Sequence, residues 1–305
     1  MSSLNYEEIL SKIKPIILQA GTKVKEAFLS REVIDNSVEV KDANPTDLVT
    51  EVDKSIEQFL FKSLRELYPT FDLIGEETVS SSESKKVNLT NIPTWVIDPV
   101  DGTTNFVHGF PFVCICVGLC VDKKPVLGVV YNPIYDEFYW GIEGKGSYMN
   151  DRKLPLIKNT PIISIQKSLF ITEYGYFLGK EKLDIKVGNA KSMLSIPAHG
   201  VRSLGSCAMD MMQIARGGAD MYFEIGIHIW DVAAATIIIR ESGGAVVGYK
   251  RPEGLDEKIL IVDEPYDLKQ RKVLCIRGTK EGKEFQSKLI EEVRNNLKEF
   301  EIESD

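Results

Sequence analysis

Asp98 and Asp101 stand three positions apart at the end of an apolar run, in Trp95-Val96-Ile97-Asp98-Pro99-Val100-Asp101-Gly102-Thr103-Thr104-Asn105-Phe106. The run reads as a buried strand that stops at Asp98. Pro99 then fixes the turn and removes one backbone donor. Two carboxylates can therefore converge at one strand end. At Gly102-Thr103-Thr104 a new helix can start and offer free N–H groups to an anion. Hard acidic oxygens beside such N–H groups suit a Mg²⁺ ion and a phosphate together.

These residues need elements to hold them. Ile9, Ile13, Ile16, Ile17, Ala20, Val24 and Phe28 recur at helical spacing, which predicts a helix from Tyr6 to Phe28 capped by Asn5, with a kink at Pro15. Val33 to Lys41 reads as extended. Thr50-Glu51-Val52-Asp53 resembles a capping box opening a second helix through Tyr68, stopped by Pro69. Phe71–Ile74 and Thr94–Ile97 read as strands, with a polar surface loop over Ser80–Lys86 between them. Phe112–Val121, Val126–Tyr131 and Glu137–Ile142 read as an antiparallel meander. Leu154–Gln166 connects two halves. Beyond it, Ser168–Thr172, Met221–Ile225, Ala245–Val247 and Val273–Ile276 alternate with helices at Ser206–Arg216, Trp230–Glu241 and Glu281–Phe300. Helices and sheets in layers are the expected pattern.

The segment around Asp98 resembles the first signature of the inositol monophosphatase family. Trp230-Asp231-Val232-Ala233-Ala234-Ala235, ending in Glu241-Ser242-Gly243-Gly244, resembles the second, and Gly75-Glu76-Glu77 a third element, all in the family's order. The resemblance covers roughly residues 5 to 300. It implies an α+β fold, a layered αβαβα sandwich of the sugar-phosphatase type. It implies one domain over 1–305, with a metal-site half at about 1–153 and a substrate half at about 167–305. In that reading Glu76, Asp98 and the Val100 carbonyl hold a first Mg²⁺, and Asp98, Asp101 and Asp231 a second. A third, weaker one would share Glu76. Water activated by metal would attack, oriented by Glu76 and Thr103, with Asp53 accepting from Thr103 and Asp47 supporting the acidic cluster. The amides of Gly102 and Thr103 would hold phosphate, and no phosphoenzyme would form. Gly205, Ser206 and Cys207 would line the substrate ring, and Glu224 would accept its hydroxyls beside Asp231. Lithium inhibition and a homodimer also follow from the resemblance. Asn44 looks like an extra residue relative to the animal pattern, and Ile229 stands where a cysteine is common.

Each residue has a plainer reading. Asp231 can cap the helix it opens, Asp53 can be a capping-box acid, and Thr103 can be a helix-start residue. Glu77 reads as a solvated neighbour, while His108, His199 and His228 read as satisfied core histidines. The chain's 305 residues carry a net charge of −8, which argues against a nucleic-acid partner. No apolar run reaches the roughly 18 residues of a membrane span, and no signal peptide is evident at Met1–Glu8. The five cysteines lack zinc-site spacing and read as buried reduced thiols of a cytoplasmic protein. The expected activity is Mg²⁺-dependent hydrolysis of inositol monophosphate, a small phosphate monoester, in inositol synthesis and recycling. The alternatives are a 3′-phosphoadenosine 5′-phosphate or fructose 1,6-bisphosphate phosphatase of the same superfamily, and a non-catalytic metal-binding scaffold.

Overall fold

The computed structural model describes residues 4–30, 39–40, 48–49, 51–84, 86–157, 164–175 and 179–302. Asp47, Asn44, the Thr50 cap, most of the Val33–Lys41 segment and the centre of the 154–166 connection lie outside the described residues.

α1 (Tyr6–Leu29) starts where expected, with the Asn5 side chain accepting from the Glu8 amide, and runs on through Pro15. The short strands β1 (Glu39–Val40) and β2 (Leu48–Val49) pair with each other. α2 (Glu51–Leu67) follows, then β3 (Asp72–Gly75), a short helix α3 (Glu76–Ser80), β4 (Thr94–Asp101) and the six-residue α4 (Thr103–His108). β5 (Cys114–Val121), β6 (Lys124–Asn132), β7 (Glu137–Ile142), β8 (Gly146–Met149) and β9 (Arg152–Lys153) continue the meander. These strands form one seven-stranded sheet in the order β3-β4-β5-β6-β7-β8-β9, parallel only at β3–β4.

The second part comprises β10 (Leu169–Thr172), α5 (Lys180–Ser195), β11 (Gly200–Arg202), α6 (Cys207–Arg216), β12 (Met221–Ile225), α7 (Ile229–Glu241), β13 (Ala245–Val247), β14 (Lys272–Ile276) and α8 (Lys283–Arg294). Its five strands run β11-β10-β12-β14-β13.

The burial pattern gives five layers. Ile13, Ile17, Ile56 and Leu60 of α1 and α2 pack on Trp95, Ile97, Val117 and Val129 from one face of the large sheet. The opposite face meets α6 and α7, which also cover Tyr222, Val246 and Cys275 of the small sheet. Met193, Leu289, Ile290 and Val293 of α5 and α8 close the far side of that sheet. The αβαβα sandwich is therefore the observed architecture. α7 is apolar all round because it lies between two sheets. Room for it comes from a row of glycines in register, Gly118 opposite Gly128 and Gly128 opposite Gly141. A Cβ at Gly128 would collide with the Ala234 carbonyl, and one at Gly118 would stand 3.0 Å from the Ala234 amide nitrogen. The row lets the helix backbone settle on β5, β6 and β7, which fixes where its first turn points.

Several expectations need correcting. β4 does not stop at Asp98 but pairs with β5 as far as Asp101, with a register shift between the two acids. Pro99 sits in that irregularity, where no ladder donor is needed. α5 is a helix that the sequence pattern does not predict. The last helix ends at Arg294 rather than Phe300.

Candidate functional site

Three elements deliver carboxylates to one cleft. β4 supplies Asp98 and Asp101, the first residue of α3 supplies Glu76, and the first turn of α7 supplies Asp231. Carboxylate oxygens of Asp98, Asp101 and Asp231 all lie within 4.8 Å of one another. Asp98 and Asp101 reach the same place although three residues apart because the bulge between them breaks strict strand alternation.

Each acid is oriented by backbone or side-chain donors. The Val100 amide donates to Asp98 Oδ1 at 2.9 Å. The Ser206 hydroxyl at 2.6 Å and the Ala208 amide at 2.7 Å both donate to Asp101 Oδ2. The His228 amide donates to Asp231 Oδ2 at 2.7 Å, closing the cap of α7. The capping reading of Asp231 and its place in the acidic cluster are thus compatible. Thr103 Oγ1 lies 3.1 Å from Asp53 Oδ1 and 3.1 Å from the Val100 carbonyl, two acceptors for its one hydroxyl proton. Asp53 is fully buried.

The electrostatics ask for a cation. Burial first, then Glu76, Asp101 and Asp231, raise Asp98 well above the usual carboxylate range. Burial, then Asp101, do the same to Asp231. Asp101 is raised to about 6, mainly by burial, with the Ser206 and Ala208 hydrogen bonds opposing. The charges acting most strongly on Asp98 are all acidic, and hard oxygens converge without softer donors taking part. Cys114 and Cys116 lie beside Asp101, but burial pushes both thiols up and keeps them protonated. The donor set fits a hard divalent cation that prefers oxygen ligands.

The other wall of the cleft carries Glu173, Gly205, Cys207 and Glu224, with Gly102 and Thr103 between the walls. Burial raises Glu224 to about 7, Lys186 opposes this and Glu173 adds to it, and the Tyr222 hydroxyl donates to the carboxyl. Ser206 is the N-cap of α6 as well as the partner of Asp101, so its hydroxyl is committed to holding the acid. Glu77 is buried, not solvated as expected. His228 stacks on the Trp230 ring at 4.5 Å and accepts from Arg271 at 2.8 Å, which places it at the cleft rim, not in the core.

Four supporting residues escaped the sequence. Asn105 donates to the carbonyls of Phe112 and Leu204 and so ties the turn after Asp101 to the opposite wall. Glu173 accepts from the Ser203 hydroxyl and the Leu204 and Gly205 amides, fixing the loop between β11 and α6. Lys186 is buried and donates to the Gly175 carbonyl. Glu57 accepts from the Glu77 amide at 2.8 Å and the Thr78 amide at 2.9 Å, and so seats the helix that begins with Glu76. Glu57→Ala leaves the buried Glu77 amide and the partly buried Thr78 amide without this acceptor. It is expected to cost about 2 kcal/mol of stability and to weaken divalent-cation binding through Glu76. Chemical denaturation and a magnesium titration check the two effects separately.

Comparison with known proteins agrees with this geometry. The family model described as the inositol monophosphatase family matches residues 5–298. Inositol monophosphatase 1 of Bos taurus is 40% identical over 270 residues, which is 88% of this chain and 90% of that protein. The solved structure of the inositol monophosphatase of Anabaena (Nostoc) superposes with a TM-score of 0.70 at 27% identity, covering 95% of this chain and 97% of that one. The IMPase of Thermotoga maritima shares the fold with a TM-score of 0.72 at 24% identity, covering 95% and 98%. With both signatures in place, the carboxylates they supply gathered in one cleft, and the match running nearly end to end, the chain belongs to the inositol monophosphatase family of phosphoric monoester hydrolases.

Proposed function

We propose that this chain hydrolyses inositol monophosphate to myo-inositol and phosphate with Mg²⁺ as its metal, as a lithium-inhibited cytoplasmic homodimer serving inositol synthesis and recycling. The observation that carries this reading is the convergence of Asp98, Asp101 and Asp231 beside a wall bearing Glu224.

The residues divide the work as follows. Glu76, Asp98 and the Val100 carbonyl would hold one ion, Asp98, Asp101 and Asp231 another, and Glu76 would lend itself to a third. When bound, the ions neutralise phosphoryl oxygens and lower the pKa of the attacking water. The Gly102 and Thr103 amides bind the phosphate. Thr103 turns its proton toward Asp53, which leaves a lone pair of its oxygen to accept from the attacking water, and Glu76 accepts the second proton. The reaction inverts at phosphorus because water attacks directly. Glu224 accepts from ring hydroxyls, and Gly205 and Cys207 shape the wall behind the ring; Ser206 acts through Asp101. Loss of a substrate hydroxyl leaves Glu224 with the Tyr222 donor but without that of the ring, which supplies selectivity. The chain works as one domain: its first half, about 1–153, brings three of the acids, and its second half, about 167–305, brings the substrate wall and Asp231. Asp47 would support the acidic cluster. Among the described residues no helix is long and apolar enough to cross a membrane.

The test is phosphate release from inositol 1-phosphate and from 3′-phosphoadenosine 5′-phosphate, with Mg²⁺ and then Li⁺ titrated. Preference for the inositol ester, magnesium dependence and lithium inhibition are expected. Preference for the nucleotide would overturn the reading of Glu224, and absence of release from any sugar phosphate would point to a scaffold.

A further inference from the structure

Asp210, in the first turns of α6, is the one acidic residue among the described residues with both carboxyl oxygens buried and without a hydrogen-bond donor. It is fully buried. Its neighbour within hydrogen-bonding contact is another carboxyl, Glu173. The chain path explains the encounter. Ser206 caps α6 and its carbonyl accepts from the Asp210 amide at 2.9 Å, while the Leu204 and Gly205 amides just before it donate to Glu173 Oε1. Helical side chains lean toward the N-terminus, so Asp210 leans back onto the acid that gathers this loop.

Two carboxyls can touch in a dry interior only if they share a proton. Glu173 already accepts three donors, from Ser203 Oγ and the Leu204 and Gly205 amides. A carboxylate suits that role, so the proton belongs on Asp210. We propose that Asp210 donates its carboxyl O–H to Glu173, and that this acid pair is the positioning device that holds Ser203–Gly205 as the wall of the substrate cleft. Burial, then Glu173, Glu224 and Asp101, push Asp210 well above the usual carboxylate range, in keeping with that assignment. The titratable groups acting most strongly on it are Glu173 beyond β10, Glu224 on β12 and Asp101 on β4, with Tyr222 of β12 alongside, and all are acids; the buried cation Lys186 of α5 acts on Glu173 and Glu224. Lys186 is not among the charges acting most strongly on Asp210, so the proton is what reconciles Asp210 with Glu173. Deprotonation sets two buried like charges against each other and loosens the wall, so substrate binding weakens as pH rises.

This rests on the phosphatase reading for its kinetic arm only. The direct test is the infrared difference spectrum between magnesium-loaded wild type and Asp210→Asn at neutral pH. A carboxylic-acid C=O band lost in the variant is expected; loss of an ionised carboxylate band instead overturns the proposal, whatever the enzyme's substrate. The kinetic test follows KM for inositol 1-phosphate against pH. Wild type should show KM rising toward alkaline pH with kcat less affected. Asp210→Asn, whose amide N–H donates at every pH, should keep the neutral-pH KM and lose the alkaline rise. Asp210→Leu, with no donor, should raise KM about tenfold throughout. An alkaline rise in Asp210→Asn equal to that of wild type overturns the proposal.

Discussion

Asp231→Asn lowers turnover by about 10³-fold or more while the metal-free protein unfolds at the same temperature as wild type or above it. The two halves of this result have separate causes. The carboxamide oxygen that the substitution introduces still accepts from the His228 amide, so the cap on α7 is retained. The helix stays seated because its placement depends on the glycine row of β5, β6 and β7, not on the acid. What disappears is one negative charge from a site where three carboxylates crowd within 4.8 Å. Without a cation that charge is unfavourable, since burial and Asp101 already raise Asp231 well above the usual range. In the proposed reading it is a ligand once a cation is bound, and transition-state stabilisation of phosphoryl transfer by fixed charge is worth several kcal/mol. Thermal unfolding in a chelator and steady-state rates with Mg²⁺ measure the two sides. Undiminished turnover would remove Asp231 from the metal site. A large fall in metal-free stability would make it chiefly a cap.

This division between site and support also explains what the sequence makes legible. Asp98 and Asp101 are readable because one contiguous strand presents them and Gly102 follows, with φ at +89° in the left-handed region that its type permits. The layers are readable because periodicity separates the strands from the amphipathic α1 and α2. The supports are not readable, because each acts at long range on backbone groups. Glu57 meets the Glu77 amide across 20 positions and Glu173 meets Gly205 across 32, and neither spacing has a local signature. The glycine row exists only once sheet register is known. α5 lacks a clean apolar stripe: Leu183, Val187 and Leu194 face solvent, Lys186 is buried, and Gly188 interrupts the pattern. The strand through Asp101 is likewise set by pairing with Cys114 on β5, a tertiary contact that overrides the turn expected at Pro99.

Added Mg²⁺ raises the unfolding temperature by about 5 °C at pH 8, and the increment vanishes near pH 5. The sign follows from the carboxyls. Asp101 is raised to about 6 in the fold from an ordinary value of 3.8, and Asp98 and Asp231 are raised as well. The metal-free fold therefore binds more protons than the unfolded chain between those values, and its stability falls as pH rises through that window. Ionising these buried acids costs the fold stability above pH 6 unless a cation is present. The ion binds only the deprotonated set, so protons compete with it as pH falls. At a hundred times its dissociation constant it contributes about 2.7 kcal/mol, or about 5 °C for a chain of this size. Below pH 6 the acids hold protons, the repulsion is already relieved, and the ion has little left to offset. Scanning unfolding with Mg²⁺ or chelator at half-unit pH steps isolates the increment from general acid effects, which are common to both samples. An increment independent of pH would place the stabilising ion elsewhere, and one that survives in Asp231→Asn would separate the stabilising site from the cleft.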